Sequence, residues 1–221
     1  MTIVQLTAAA VRAGLACGAC LALAGGLVSA CADDEVAWPA YRQDLVDLLT
    51  DGQGRTAAIV TDAGDTLALT NGAARAGLAP DSVYRVQALF ITSAGGAELL
   101  SMAQVVSPYP AAFRETEIKR DPLTLNAVWR GGDYLNLTVT LKTGGGTHAF
   151  AFVDRGTTAT DDGTRTLRLE LYHDQLDDPL YYSRQASLSC PLRATGLRPG
   201  RDSIEITVNT FGGTVRRRFA R

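Results

Sequence analysis

Strict alternation of apolar and polar residues, repeated in three separate stretches, confines this chain to stacked β-sheets. Leu135, Leu137, Val139 and Leu141 alternate with Tyr134, Asn136, Thr138 and Thr140. Leu167, Leu169 and Leu171 alternate with Arg168, Glu170 and Tyr172, and Ile204, Ile206 and Val208 repeat the pattern. Successive side chains of a strand point to opposite faces, so each stretch offers one face to a core. Adding Leu123–Trp129, His148–Asp154, Arg184–Cys190 and Thr214–Phe219 makes about seven strands, with turns at Gly131-Gly132, Gly144-Gly145-Gly146 and Pro199-Gly200. That is the spacing of an Ig-like antiparallel β-sandwich, here without the cysteine pair of antibody domains. We expect it over residues 112–221.

Residues 42–108 carry shorter runs, read as strands at Gln43–Leu49, Thr56–Thr61, Thr66–Thr70, Val83–Thr92 and Glu98–Val106. Asp51-Gly52-Gln53-Gly54 and Asp62-Ala63-Gly64-Asp65 are turns, and a Gly- and Ala-rich connector through Pro80 has room for a short helical turn. Five short strands in so few residues suit a small OB-like barrel, because closure removes exposed edges. The expected fold class is therefore all-β, a barrel followed by a sandwich. Two prolines in Ser107-Pro108-Tyr109-Pro110 mark the seam. Charge divides there too: four basic residues against ten acids over Ala32–Pro110 give −6, and sixteen against thirteen over Ala111–Arg221 give +3.

The N-terminus predicts export. Ala8–Ala30 is almost entirely Ala, Leu, Val, Gly and Cys, with Arg12 the one charge before Asp33. It is barely long enough to span a bilayer and poor in Leu and Ile, so a cleaved signal peptide over 1–30 is expected rather than a permanent anchor. Leu27-Val28-Ser29-Ala30-Cys31 resembles the bacterial lipobox. In that motif the cysteine thiolate takes a diacylglyceryl group, cleavage frees its amine for a third chain, and each buried methylene contributes about 0.8 kcal/mol of membrane affinity. Cys31 is thus the expected lipid-attachment residue and the membrane the expected partner, with residues 31–41 a tether. Asp33, Asp34 and Glu35 resemble an acidic surface-export signal, so an outer-membrane lipoprotein facing outward is expected; the alternative is a hydrated spacer on a lipoprotein that faces the periplasm. Cys17 and Cys20 leave with the signal segment, so Cys190 is the sole free thiol of the mature chain. Its place in the alternation of Ala186, Leu188 and Cys190 reads as a core position.

Candidate ligand residues gather in one loop, where Tyr172, His173, Asp174, Asp177, Asp178, Tyr181 and Tyr182 put carboxylates and a histidine between aromatic ends. Three carboxylates admit a calcium-dependent glycan site, although the spacing differs from the EF-hand loop. A loop whose polar side chains cap turns and meet arginines is the plainer reading. His148 shares strand parity with Phe150 and Phe152, and two histidines with no spare thiol make a poor zinc set. The chain has no Gly-x-Ser-x-Gly elbow, no identifiable pair of glycosidase carboxylates and no phosphate loop leading into a helix. We therefore expect no enzyme, no metal and no cofactor. Nucleic acid is excluded because the barrel half is acidic and extracytoplasmic, and Arg216-Arg217-Arg218 reads as protection of an edge strand.

The run from Asp133-Tyr134-Leu135-Asn136-Leu137-Thr138 through Leu141-Lys142-Thr143-Gly144-Gly145-Gly146-Thr147-His148, with the later Leu171-Tyr172-His173-Asp174-Gln175-Leu176-Asp177-Asp178-Pro179-Leu180-Tyr181-Tyr182, resembles the NigD-like lipoproteins. The resemblance covers essentially the whole chain. It implies an OB-like domain and a β-sandwich behind a lipoprotein signal, and it assigns no enzymatic activity and no ligand residues. The family's name, from a gene beside a bacteriocin, implies an immunity or accessory role. The alanine-rich signal segment, without lysine, departs from the pattern. The expected function is a non-enzymatic binding or accessory module for a protein or glycan partner. Bacteriocin immunity or envelope protection, and calcium-dependent glycan binding, are the alternatives.

Overall fold

A computed structural model describes residues 40–221 together with the backbone strand Val4–Leu6. The signal cleavage point, Cys31, Asp33, Asp34 and Glu35 lie outside the described residues. In chain order the strands are β1 (Val4–Leu6), β2 (Tyr41–Thr50), β3 (Thr56–Thr61), β4 (Thr66–Ala68), β5 (Val83–Ser93), β6 (Gly96–Gln104), β7 (Thr124–Gly131), β8 (Tyr134–Thr143), β9 (His148–Ala159), β10 (Arg165–Asp174), β11 (Tyr182–Pro191), β12 (Ser203–Thr210) and β13 (Gly213–Ala220). The described helices are two single 3-10 turns, so no described helix is long and apolar enough to cross a membrane.

The first sheet runs β4-β3-β2-β5-β6. A parallel bridge between Leu69 and Ala97, with the Thr70 N–H donating to the Ala97 carbonyl at 2.9 Å, joins its two ends and closes the barrel. Even-numbered positions of β2 and β5 point inward, and Val46, Leu48, Val86, Ala88 and Phe90 meet Ile59, Ala97 and Leu99 in one core. The segment after β4 holds turns and no helix. Its Ala73 and Ala79 N–H groups donate to the Thr56 and Tyr84 hydroxyls, and its Ala73 carbonyl accepts from the Thr56 N–H of β3, which leaves no i to i−4 ladder to build.

The second half is the sandwich, with sheets β11-β8-β7 and β1-β9-β10-β12-β13. Its core takes Leu135, Leu137, Val139 and Leu141 from one sheet and Phe150, Phe152, Leu167, Leu169, Leu171, Ile204, Ile206 and Val208 from the other. Cys190 is fully buried among them, and burial raises its thiol well above the usual range. One pairing departs from the antiparallel expectation: β10 and β12 run parallel, Leu167 beside Ile204 and Leu169 beside Ile206. The intervening β11 lies in the opposite sheet, so the chain crosses the core twice and returns in its original direction. The connector joins the sandwich before the two prolines. Val106 lies beside Leu188, Ala111 beside Val153, Arg120 beside His173 and Leu123 beside Thr210.

Candidate functional site

The structure divides the loop from Tyr172 to Tyr182 into a buried base and an exposed tip. Tyr172 stacks on Phe113, centroids 5.5 Å apart, under the connector. His173 shares inward parity with Leu171 and stacks on Phe150 at 4.9 Å. Asp178 turns back toward the Gly144-Gly145-Gly146 turn. One of its oxygens accepts from the Thr143 hydroxyl, the Gly144 N–H at 3.0 Å and His148 Nε2 at 3.1 Å, and the other accepts from the Gly146 N–H at 2.9 Å. The Thr143 hydroxyl first, with His148 and the two amides, holds the Asp178 carboxyl down at about 2.

His148, read from sequence as a packed or edge residue, belongs to this base. Its Nδ1 lies 2.8 Å from His173 Nε2, and His173 Nδ1 lies 2.8 Å from the Asp121 carbonyl. Both ends of this chain are acceptors. His173 therefore donates from Nδ1 and His148 donates from Nε2 to Asp178, and the contact between the rings is satisfied when one further proton lies between His148 Nδ1 and His173 Nε2. Burial lowers the His173 pKa, in keeping with a neutral second ring.

The remaining loop residues do not converge on a cation. Asp174 accepts from the Tyr172 hydroxyl at 3.3 Å and the Leu176 N–H at 3.0 Å, and Asp178 spends both oxygens on protein donors. The calcium alternative thereby loses its ligand set, and among the described residues no three acidic, histidine or cysteine side chains form a metal-sized group. Beyond the base, Leu176 and Asp177 adopt φ of 51° and 62°, and the tip raises Leu176, Leu180, Tyr181 and Tyr182 into solvent, with Tyr181 80% exposed.

A second polar cluster, not foreseen from the sequence, locks the barrel to the sandwich. Arg85 of β5 is 3% exposed at its side chain. It pairs with Asp62 at 2.7 Å and Asp47 at 3.3 Å in the barrel, and donates to Asn136 at 3.2 Å and Ser189 at 3.3 Å across the junction. Its guanidinium lies 3.9 Å from the Tyr134 ring centroid. Asn136 in turn donates to Asp62 at 2.9 Å, and Arg193 reaches both Asp47 and Asp133. The Gly131-Gly132 turn presses against this hairpin. A Cβ on Gly131 would fall 2.2 Å from Asp62 Oδ2, and one on Gly132 2.8 Å from the Asp62 carbonyl oxygen. The Tyr134 and Asn136 end of β8's outward face, polar in the alternation, is thus covered by the barrel.

These features define a class, a closed OB-like barrel locked to a two-sheet β-sandwich that displays an aromatic tip. Residues 105–220, slightly more than half of the 221, match the NigD-like C-terminal beta sandwich domain. The chain belongs to the NigD-like family. It is similar to a NigD-like immunity protein from Bacteroides caccae, with 24% identity, TM-score 0.62, and coverage of 83% of this chain and 98% of that one. A toxin-related protein from Parabacteroides distasonis aligns at 17% identity and TM-score 0.62 over 82% and 93% of the two chains. A lipoprotein from Bacteroides fragilis does so at 13% and 0.55 over 82% and 97%. These likenesses are of fold. None of the curated proteins matches the chain.

Proposed function

We propose that this chain is an extracytoplasmic lipoprotein, anchored by acylated Cys31 and turned outward from the outer membrane by Asp33, Asp34 and Glu35, that acts without catalysis as an accessory module for a protein partner. The observation that carries the reading is the tip. Four large apolar side chains, Leu176, Leu180, Tyr181 and Tyr182, stand in water on a loop fixed by the buried Asp178, His148 and His173 base. Tyrosine supplies broad contact area at small entropic cost, and a preorganised loop loses little freedom on docking. A photo-crosslinking residue at Tyr181 in intact cells should give a discrete adduct that the same residue at Thr157 does not. Identical patterns at the two positions would refute docking at the tip, and substrate turnover lost on changing His173 or Asp174 would refute the absence of catalysis. Protease shaving of cells carrying wild type or a variant with Asp33, Asp34 and Glu35 replaced by alanine tests the location. Loss of the wild-type band with protection of the variant is expected.

The description of the Bacteroides caccae relative as an immunity protein favours a second reading, protection against a bacteriocin. Under it the tip binds the toxin, and deletion of the gene sensitises cells to neighbouring strains. Unchanged sensitivity would remove it.

A further inference from the structure

We propose that the cleft between the barrel and the sandwich binds a neutral oligosaccharide. Outward positions along β2 are Asp47, Leu45 and Gln43, and along β5 they are Arg85 and Gln87, with Leu45 paired to Gln87. The Arg85 lock holds the first of these positions against the sandwich. Farther along, the walls part into a cleft of about 330 Å³ lined by Arg42, Gln43, Asp44 and Gln87 on one side and Trp129, Thr138 and Ser187 on the other. That volume sits at the lower end of the roughly 300–1,000 Å³ usual for small-ligand sites, which favour domain junctions.

The chemistry of the walls selects the ligand. Trp129 is 37% exposed and supplies one flat aromatic face in a cleft whose other lining is polar apart from Leu45 and Ala63. A pyranose ring presents a flat face of C–H bonds edged by hydroxyls, so it can stack on indole while its rim stays polar. Each hydroxyl both donates and accepts, and so do the amides of Gln43 and Gln87 and the hydroxyls of Thr138 and Ser187. The charges cancel. Arg42 pairs with Asp44 at 2.6 Å at the rim, and Asp62 is matched by Arg85 at 2.7 Å. An anionic or cationic ligand gains no net attraction there. On the barrel side β2 and β5 are inner strands, so that wall is a sheet face with no free backbone ladder for an added strand.

This site uses residues apart from the loop tip, and its test separates the two. The mature chain is titrated with malto-, cello-, xylo- and mannohexaose, and with a heparin-derived hexasaccharide as the charged probe, by calorimetry and tryptophan fluorescence. At least one neutral hexasaccharide should bind and alter the indole emission. Trp129→Ala should weaken it about tenfold or more, and Gln87→Ala several-fold, with unchanged circular dichroism in both. A variant with Tyr181 and Tyr182 both changed to serine should bind the sugar as wild type does. Failure of all four neutral probes, binding unaffected by Trp129→Ala, or preference for the heparin fragment would each overturn the proposal.

Discussion

Replacing Arg85 by methionine removes the buried cation at the centre of the junction, leaving Arg193 as the remaining cation across it, while keeping most of the side-chain volume. Asp47 is left with its side chain 6% exposed, retaining Arg193 at 3.3 Å as its charged partner. Asp62 keeps the Asn136 amide and, at 23% side-chain exposure, can recover water. Breaking a buried pair from one side costs about 3–5 kcal/mol. The surviving Arg193 contact and the hydration of Asp62 place this case near the lower end, about 3 kcal/mol. For a chain of this length that corresponds to a fall in Tm of roughly 6–12 °C. Urea unfolding followed by fluorescence and circular dichroism should show the loss, with the barrel melting ahead of the sandwich once the lock is gone. Changing Asp47 to leucine in the same variant should recover part of the loss, because no stranded carboxylate then remains at that position. A cost below about 1 kcal/mol would refute the idea that Arg85 carries the junction.

Gly131→Ala should destabilise by about 1–3 kcal/mol, because its Cβ cannot coexist with Asp62 Oδ2 2.2 Å away; a neutral result in thermal denaturation would show that the turn can retreat. Stability should fall with acidification in two ranges. His173 is kept neutral in the fold, so the unfolded chain takes up the extra proton as pH drops below its ordinary 6.5, and Asp178, held at about 2 against 3.8, loses its contribution between about pH 4 and 2. Melting temperatures of wild type and Asp178→Asn across this range check the sign, with the variant showing a shallower acid limb; equal limbs would contradict it. Nitrogen-15 NMR of labelled histidine should find a proton on His173 Nδ1 and on His148 Nε2, and a bare nitrogen at either position refutes the hydrogen-bonded chain.

Most of the strand architecture was legible because burial imposes a two-residue period directly on the chain. Leu135 to Leu141 and Ile204 to Val208 lie on the core face that their alternation requires, and the short barrel strands fall where their turn residues allow. Pairing partners were less visible. Alternation specifies which face of β10 is buried, yet carries no information about which strand lies beside it, so the parallel β10–β12 neighbours were missed. The same holds for polar clusters assembled across long separations. Arg85 and Ser189 stand 104 residues apart, and the visible trace of the lock was an arginine on an outward strand position in an otherwise acidic half. His148 carried a clearer signal, since a histidine in register with Phe150 and Phe152 is headed for a core and must find partners there. The loop beginning at Tyr172 reads from the sequence as one unit, and its division into buried base and exposed tip depends on the Gly144-Gly145-Gly146 turn that receives Asp178.

The parallel seam between β10 and β12 also orders the folding of the chain in time. Every barrel pairing except the closure of Leu69 on Ala97 joins strands close in sequence, or β2 to β5. The central seam of the larger sandwich sheet cannot zip until β11 has crossed to the opposite layer and both layers face each other. Separation along the chain does not set this seam apart, since Leu167 and Ile204 are no more distant in sequence than Tyr41 and Ile91 of the barrel; the added condition is the crossing of β11. The partners of Arg85 are complete once that crossing has brought Ser189 beside Asn136.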